Sequence, residues 1–259
     1  MSDLLWLTDK QMRQIEPYLP LSHGIPRVDD KRVLMGIIFL IRNGLDWRDA
    51  PRDYGPHKTI YKRFIRWSRL GVFNRIFAEP SAKGPRLERL MIDATHLKAH
   101  RTAASLLNKG LFPRRIGRTG GGLNSRLHAV CDGQGRPLVM LFSEGRMSDY
   151  KGAALMIDAL PKAGAMLGDR GYDADGFRAA LIPRGIIPCI PSKANRKIQI
   201  DHDRTLYRQR HRIENMFGRL KDWRRIHTRY DRCAHTFMSA NAIAATVVFW
   251  LFLAMTNGS

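Results

Sequence analysis

YRQRHRIENMFGRLK, residues 207–221, is the stretch on which the fold reading turns. Taken as an α-helix at about 100° per residue, it brings Tyr207, Arg210, Glu214 and Lys221 within about 60° of arc on one face. Ile213, Phe217 and Leu220 form a second, apolar stripe about a quarter-turn away. Glu214 then stands at the lip of a buried face, among cations suited to a phosphate backbone. A carboxylate in that company points to a metal ligand acting on nucleic acid.

The charge of the whole chain agrees. Its 259 residues carry 44 Lys+Arg against 23 Asp+Glu, a net +21. The excess is concentrated: residues 96–136 hold eight Lys/Arg and one acid, and residues 193–232 hold thirteen against five. Clustering of this kind is the footprint of a polyanion binder, whereas a merely solubilising surface mixes both signs. The 44% hydrophobic content suffices for a core, which argues against wholesale disorder. Cys131, Cys189 and Cys233 are scattered, odd in number and without zinc spacing, as expected of a reduced intracellular chain. MSDLLWLTDK lacks the features of a signal peptide. The apolar run Ala242 to Met255 falls short of the about 20 residues a membrane span needs, so a buried C-terminal helix and no membrane are expected.

Residues 1–85 read as helical. Thr8 caps a helix through Leu19, and Asp29 or Asp30 caps an apolar helix stopped by Gly44. In the third helix Ile60, Phe64, Trp67 and Leu70 point inward, while Lys58, Lys62, Arg63 and Arg66 point out. That pattern suits a small helix-turn-helix-like DNA-binding domain, followed by a linker over residues 80–86.

Residues 86–259 change rhythm, and give a mixed sheet with helices on its faces, an α/β class. LERLMIDATHLKA runs as a strand through Ile92 to Asp93. SRLHAVCD and RPLVMLFSE form a hairpin around GQG. A helix opened by Ser148 or Asp149 follows, then a strand ending at Asp169, a helix over residues 175–185, the strand IIPCIP and the late helix. GRTGGG, Gly117 to Gly122, lacks the ending of a nucleotide P-loop and reads as a flexible basic loop beside Arg114, Arg115 and Arg118.

Asp93, Asp169 and Glu214 stand where strands stop or a helix meets the core. An acid just after an apolar strand is costly to desolvate unless it is paired or binds a metal. Asp173 or Asp175 serves better as the cap of the next helix. His96 and His100 have zinc-like spacing but no partner motif, and read as structural or DNA-contacting residues.

With those residues in view, the chain resembles the DDE transposases of the insertion-sequence five family. Tyr207, Arg210, Glu214 and Lys221 fit that group's Y-x2-R-x3-E-x6-K signature. DRGY at Asp169–Tyr172 fits its D-x-G-[YF] block, DAT at Asp93 fits its first acidic block, and WRDAP at Trp47–Pro51 resembles its leading domain. The resemblance implies an RNase-H-like catalytic fold in which Asp93, Asp169 and Glu214 hold two Mg²⁺, with Mn²⁺ able to substitute. It implies binding of an element's terminal inverted repeats, hydrolysis to a 3′-hydroxyl and direct transesterification into target DNA. Tyr207, Arg210 and Lys221 would position the strand. A homodimer or larger assembly at the element ends and a cytoplasmic, nucleoid-associated setting are further expectations. A DNA-binding protein without catalysis, or a metal-dependent nuclease on the same fold, are the alternatives.

Overall fold

The computed structural model describes residues 4, 6–21, 28–82, 86–104 and 114–251, for 80–82 the backbone only. The first helix, α1 (Asp9–Ile15), is closed by a capping box: Thr8 accepts from the Gln11 N–H, and Gln11 accepts in turn from the Thr8 N–H at 2.8 Å. It was expected to reach Leu19, but becomes a 3₁₀ turn over Glu16–Tyr18, because Pro17 has no N–H to continue the α ladder. Helix α2 (Asp30–Asn43) is capped by Asp29 and ends on Gly44 at φ +67°, a conformation that favours glycine. Val33 through Ile41 are all buried, so this helix is the axle of the N-terminal half.

Helix α3 (His57–Arg69) packs on α2, and α4 (Val72–Ala82) packs on α3 and on the long C-terminal helix. Ile60, Phe64 and Trp67 are buried as the periodicity requires. Leu70 is not: it is the C-cap of α3, the chain turns at Gly71, and its side chain is 48% exposed. Arg63 also departs from the outward face, pairing with Asp30 and lying over the Trp67 ring. Residues 80–82, expected in a linker, continue α4, and residues 83–85 lie outside the described residues.

The sheet is built on β1 (Leu87–Ala99). It pairs antiparallel with β3 (Gly122–Asp132), which pairs antiparallel with β4 (Pro137–Glu144). On its other side β1 pairs parallel with β5 (Ala163–Leu167), which pairs parallel with β6 (Ile187–Cys189). Part of the glycine-rich loop is itself strand: β2 (Gly117–Thr119) folds back on the start of β3. A two-residue β7 (Thr228–Arg229) pairs with the far end of β1. Three antiparallel strands continued by two parallel ones, with helices on both faces, form the RNase-H-like mixed sheet that the resemblance implies.

Side chains alternate across a strand, so β1 presents two different faces. Leu90 and Ile92 pack with α6 (Asp149–Met156) and α7 (Asp175–Leu181). Met91 and Leu97 join the larger core with α9 (His211–Lys221), α11 (Ala234–Thr246) and the N-terminal helices. One continuous core therefore links residues on both sides of position 85. The remaining short helices are α5 (Arg101–Ala104), α8 (Arg204–Tyr207) and α10 (Arg224–His227). α11 runs through a π turn to Leu251, and this 18-residue window is apolar enough to span a membrane, yet 78% of it is buried inside the protein. The helix thus starts well before the expected Ala242.

Three boundaries differ from the sequence reading. β1 continues six residues past Asp93, because β3 pairs with it as far as Lys98. β5 stops at Leu167, leaving Asp169 in the loop beyond. The late helix is α8, then a 3₁₀ turn over Arg208–Arg210, then α9. Asp173 caps nothing. It is buried, salt-bridged to Arg178 at 2.8 Å and Arg196 at 3.2 Å, and accepts from the Lys193 N–H; α7 starts from Ala174 without a side-chain cap.

Helix α6 meets the sheet at Gly152, where an added Cβ would come within 2.3 Å of the His128 ring. That ring is fully buried, bonded through Nε2 to Ser143 Oγ at 2.8 Å, and burial pushes its pKa down to about 4, so it stays neutral. Gly152→Ala should therefore cost about 1–3 kcal/mol by overpacking, measured as a lowered urea midpoint with an unchanged slope.

Candidate active site

Asp93 lies mid-strand on β1, on the face shared with Met91 and Thr95, and α9 packs over that face. Its Oδ1 accepts from the Ala94 N–H at 2.7 Å, and its Oδ2 accepts from Arg210 Nη1 at 2.8 Å. The other guanidinium arm of Arg210 pairs with Glu214, one turn into α9. One arginine thus joins two acids 121 positions apart (214 − 93). The 3₁₀ turn at Arg208–Arg210 has a local consequence: at three residues per turn, Tyr207 and Arg210 eclipse and stay on one stripe.

Asp169 enters from the end of β5. It caps the short turn Arg170–Tyr172, its Oδ1 accepting from the Gly171 N–H at 2.7 Å. Asp169 is close enough that its charge raises the Asp93 pKa. Burial is the larger cause of that rise, with the Ala94 N–H and Arg210 opposing it. Lys221 closes the far side. It is half-buried, and its Nζ donates to Thr95 Oγ1 at 2.6 Å. Burial lowers its pKa.

The structure therefore brings together Asp93, Asp169, Arg210, Glu214 and Lys221, with Tyr207 on the same stripe. The donor set is all oxygen, as hard divalent cations prefer. A buried carboxylate with a second one close by is a poor arrangement unless a cation joins them. Among the described residues no three acidic, His or Cys side chains close into a ready cage; Glu214, 54% exposed, is held by Arg210 instead.

The N-terminal and loop cations are spread more widely. Lys58, Lys62 and Arg66 are exposed along α3, and Arg115 and Arg118 are exposed near β2. Arg114 is half-buried and donates to the Ala104 carbonyl at 2.8 Å. Two arginines of the basic 193–232 segment are structural. Arg225 is buried and forms a two-pronged pair with Asp231, and Arg229 is fully buried.

Comparison with known proteins identifies the family. Residues 84–249, well over half the chain, match the family model "Transposase DDE domain", and residues 7–77 match "Putative transposase of IS4/5 family". The chain belongs to the DDE transposase family. A "Putative transposase for insertion sequence element IS6501" of Brucella ovis is 31% identical over 137 residues, half of this chain and 99% of that protein. A "Putative transposase for insertion sequence element IS402" of Burkholderia cepacia is 28% identical over 49% of this chain and 63% of its own length. Among solved structures, the piggyBac transposase synaptic complex with hairpin DNA superposes with a TM-score of 0.54 at 9% identity, covering 98% of this chain and 75% of that one, a likeness of fold. As a member of the family, this transposase cleaves DNA strands and transfers them, in a domain class that generally depends on a divalent metal ion.

A fourth acid escaped the sequence reading. Asp149, taken there only as a helix opener, faces Asp169 across Gly171: a Cβ on that glycine would sit 2.9 Å from an oxygen of each. Asp149 pairs with Arg126, which reaches His96 Nε2 at 3.4 Å. Burial raises the Asp149 pKa, Arg126 offsets part of it, and Asp169 adds to it. The available signal was β-strand alternation, which puts His96 and Arg126 on the α6 face.

The raised pKa of Asp93 is a stability statement. At neutral pH its charge opposes folding; below the unfolded carboxyl pKa it is protonated in both states and the cost vanishes. Asp93→Asn should melt no lower than the wild type at pH 7, and any advantage should shrink as the pH falls through the raised Asp93 pKa. Thermal melts of both proteins across that range check this.

Proposed function

We propose that this transposase binds the terminal inverted repeats of an insertion sequence, cleaves there to expose 3′-hydroxyl ends and joins them to target DNA. The observation that carries the reading is the Arg210 clamp, which holds Asp93 and Glu214 together beside Asp169. Asp93, Asp169 and Glu214 are assigned as ligands of Mg²⁺, with Mn²⁺ able to substitute. Two such ions, when bound there, would supply an activated attacking oxygen and a stabilised leaving oxygen.

The protein's own groups do the positioning. Asp93 is fixed by the Ala94 N–H and Asp169 by the Gly171 N–H, so both carboxylates are pre-aimed before DNA arrives. Arg210 keeps the clustered acids neutralised while DNA is absent, and offers a planar donor fork to a phosphate when it enters. Lys221, anchored on Thr95, adds a fixed cation, and Tyr207 borders the strand rather than attacking it. Lys58, Lys62 and Arg66, with Arg115 and Arg118, are assigned to the DNA backbone; Arg63 and Arg114 are assigned there only through the surfaces they support. Residues 1–85 act as the DNA-binding part and residues 86–259 as the catalytic part, although they share one core. Joining two ends calls for at least a homodimer in the working complex.

Asp93→Asn, Asp169→Asn and Glu214→Gln should each lower metal-dependent strand cleavage by more than about 100-fold, beyond the 10–100-fold that loss of an outer-shell partner costs. Binding to element-end duplex in EDTA should stay within a few-fold. Full cleavage by any of the three would remove that residue from the role. Pre-cleaved ends supplied with target DNA should yield joined product; cleavage without joining would make the protein a nuclease. Affinity should fall steeply with salt, the slope of log K against log salt giving about −0.9 per phosphate contact.

A further inference from the structure

A second concavity, apart from the acidic site, lies between the N-terminal helices and the far end of β1. Its volume is about 1090 Å³, at or above the top of the roughly 300–1,000 Å³ range of small-molecule sites. One wall is the turn Trp47–Asp49 with the start of α3; the other is His100 and the loop Tyr230–Cys233. Tyr61 on the first wall is 45% exposed and Tyr230 on the second is 44% exposed. His100 backs Tyr230, ring centroids 4.8 Å apart. Trp47 backs Tyr61 at 5.5 Å, and is itself held between Phe64 and the Arg225 guanidinium.

The charges around these rings favour a polyanion. Arg48, Lys58 and Arg232 are exposed at the rim, and none has an ion pair among the described residues. The two lining acids are already engaged: Asp46 caps the Arg48 N–H at 3.0 Å, and Asp231 is taken up by Arg225. Exposed aromatic rings with unpaired cations beside them are the platform on which unstacked bases and their phosphates bind. Intact duplex offers no base faces, since its bases are stacked inside, so its contacts would leave Tyr61 and Tyr230 unused. β1 connects the two places: from Asp93 to His100 is about 23 Å of extended chain, the reach of a few nucleotides.

We propose that this cleft binds unpaired nucleotides peeled from a DNA end, with bases against Tyr61 and Tyr230 and phosphates on Arg48, Lys58 and Arg232. The inference rests on the DNA-end reading above and adds a site to it. Bases held here keep an opened end from re-pairing while the adjoining strand lies at the acids.

The test uses the full chain in EDTA, so that it does not depend on the carboxylates. Anisotropy compares a blunt duplex having G·C ends with the same duplex carrying about five unpaired nucleotides, within the span of known single-strand platforms. The wild type should prefer the tailed duplex by at least about tenfold, the value of roughly one stacked base. Tyr61→Ala with Tyr230→Ala should abolish the preference and keep blunt-duplex affinity, while Tyr61→Phe with Tyr230→Phe should retain both. Asp93→Asn should retain the preference. Equal wild-type affinity for the two DNAs would overturn the cleft assignment alone. So would an Ala double variant that keeps the preference, or one that loses blunt-duplex binding while melting normally, which would make the cleft a duplex contact. No binding to either DNA by the wild type would overturn the DNA-end reading and the cleft with it.

Discussion

The Arg210 guanidinium is the interaction on which the site depends. Without it, α9 would bring Glu214 towards a strand already carrying a desolvated Asp93 near Asp169, and like charges would push the helix off the sheet. With it, two acids accept from one planar fork, and α9 can bury Ile213, Phe217 and Leu220 against the same face of β1. The Lys221–Thr95 bond adds a second helix-to-strand tie, two residues along the strand from Asp93 and about three turns on from Arg210. A helix pinned to a strand at two such points has its register fixed, and with it the direction of every side chain on the Tyr207 stripe.

Behind that contact lies a second cationic anchor. Arg229 is fully buried and donates to Ser125 Oγ at 2.6 Å, the Arg114 carbonyl at 2.7 Å and the Asp231 carbonyl at 2.8 Å, with its guanidinium over the Phe237 ring. Burial lowers its pKa to about 10, still far above neutrality, so the charge persists in the core. Those carbonyls belong to the turns that present Arg115 and Tyr230, so a core arginine sets the shape of exposed loops on two sides. Arg225 does the same for the turn at Leu45 and Trp47. Both lie in the basic 193–232 segment, whose concentrated charge reads as a polyanion footprint. A residue count cannot separate a solvated arginine from one that solvates backbone carbonyls, because the difference lies in partners supplied from positions such as Ser125 and Leu45.

Legibility followed the range of the forces involved. Helices α2 and α3, the β3–β4 hairpin and the order of strands and helices could be read from local periodicity and caps. Ends set by long-range pairing were not readable. β1 outlasts Asp93 only because β3 lies beside it, and Asp173 is drawn from capping by Arg178 and Arg196. Asp149 was hidden for the same reason: its partners Arg126 and Asp169 come from different strands, joined only when the sheet forms. Leu70 and Arg63 show the converse, where helical periodicity continued past the point at which the chain turned at Gly71 or an ion pair with Asp30 reversed the side chain.

The pleat of β1 explains why the acids divide as they do. Asp93 and Thr95 look towards α9; His96 looks the other way, towards Arg126, Asp149 and α6. Asp169, one loop past the C-terminal end of the interior strand β5, acts on the acids of both sides, with Gly171 leaving room between it and Asp149. Each face has its own arginine, Arg210 on one and Arg126 on the other, and each arginine neutralises the acids of its side. A site assembled this way has a separate arginine for the acids of each face. The charge of Asp169 acts on the acids of both faces, which makes the turn Asp169–Tyr172 a point where the two faces are coupled.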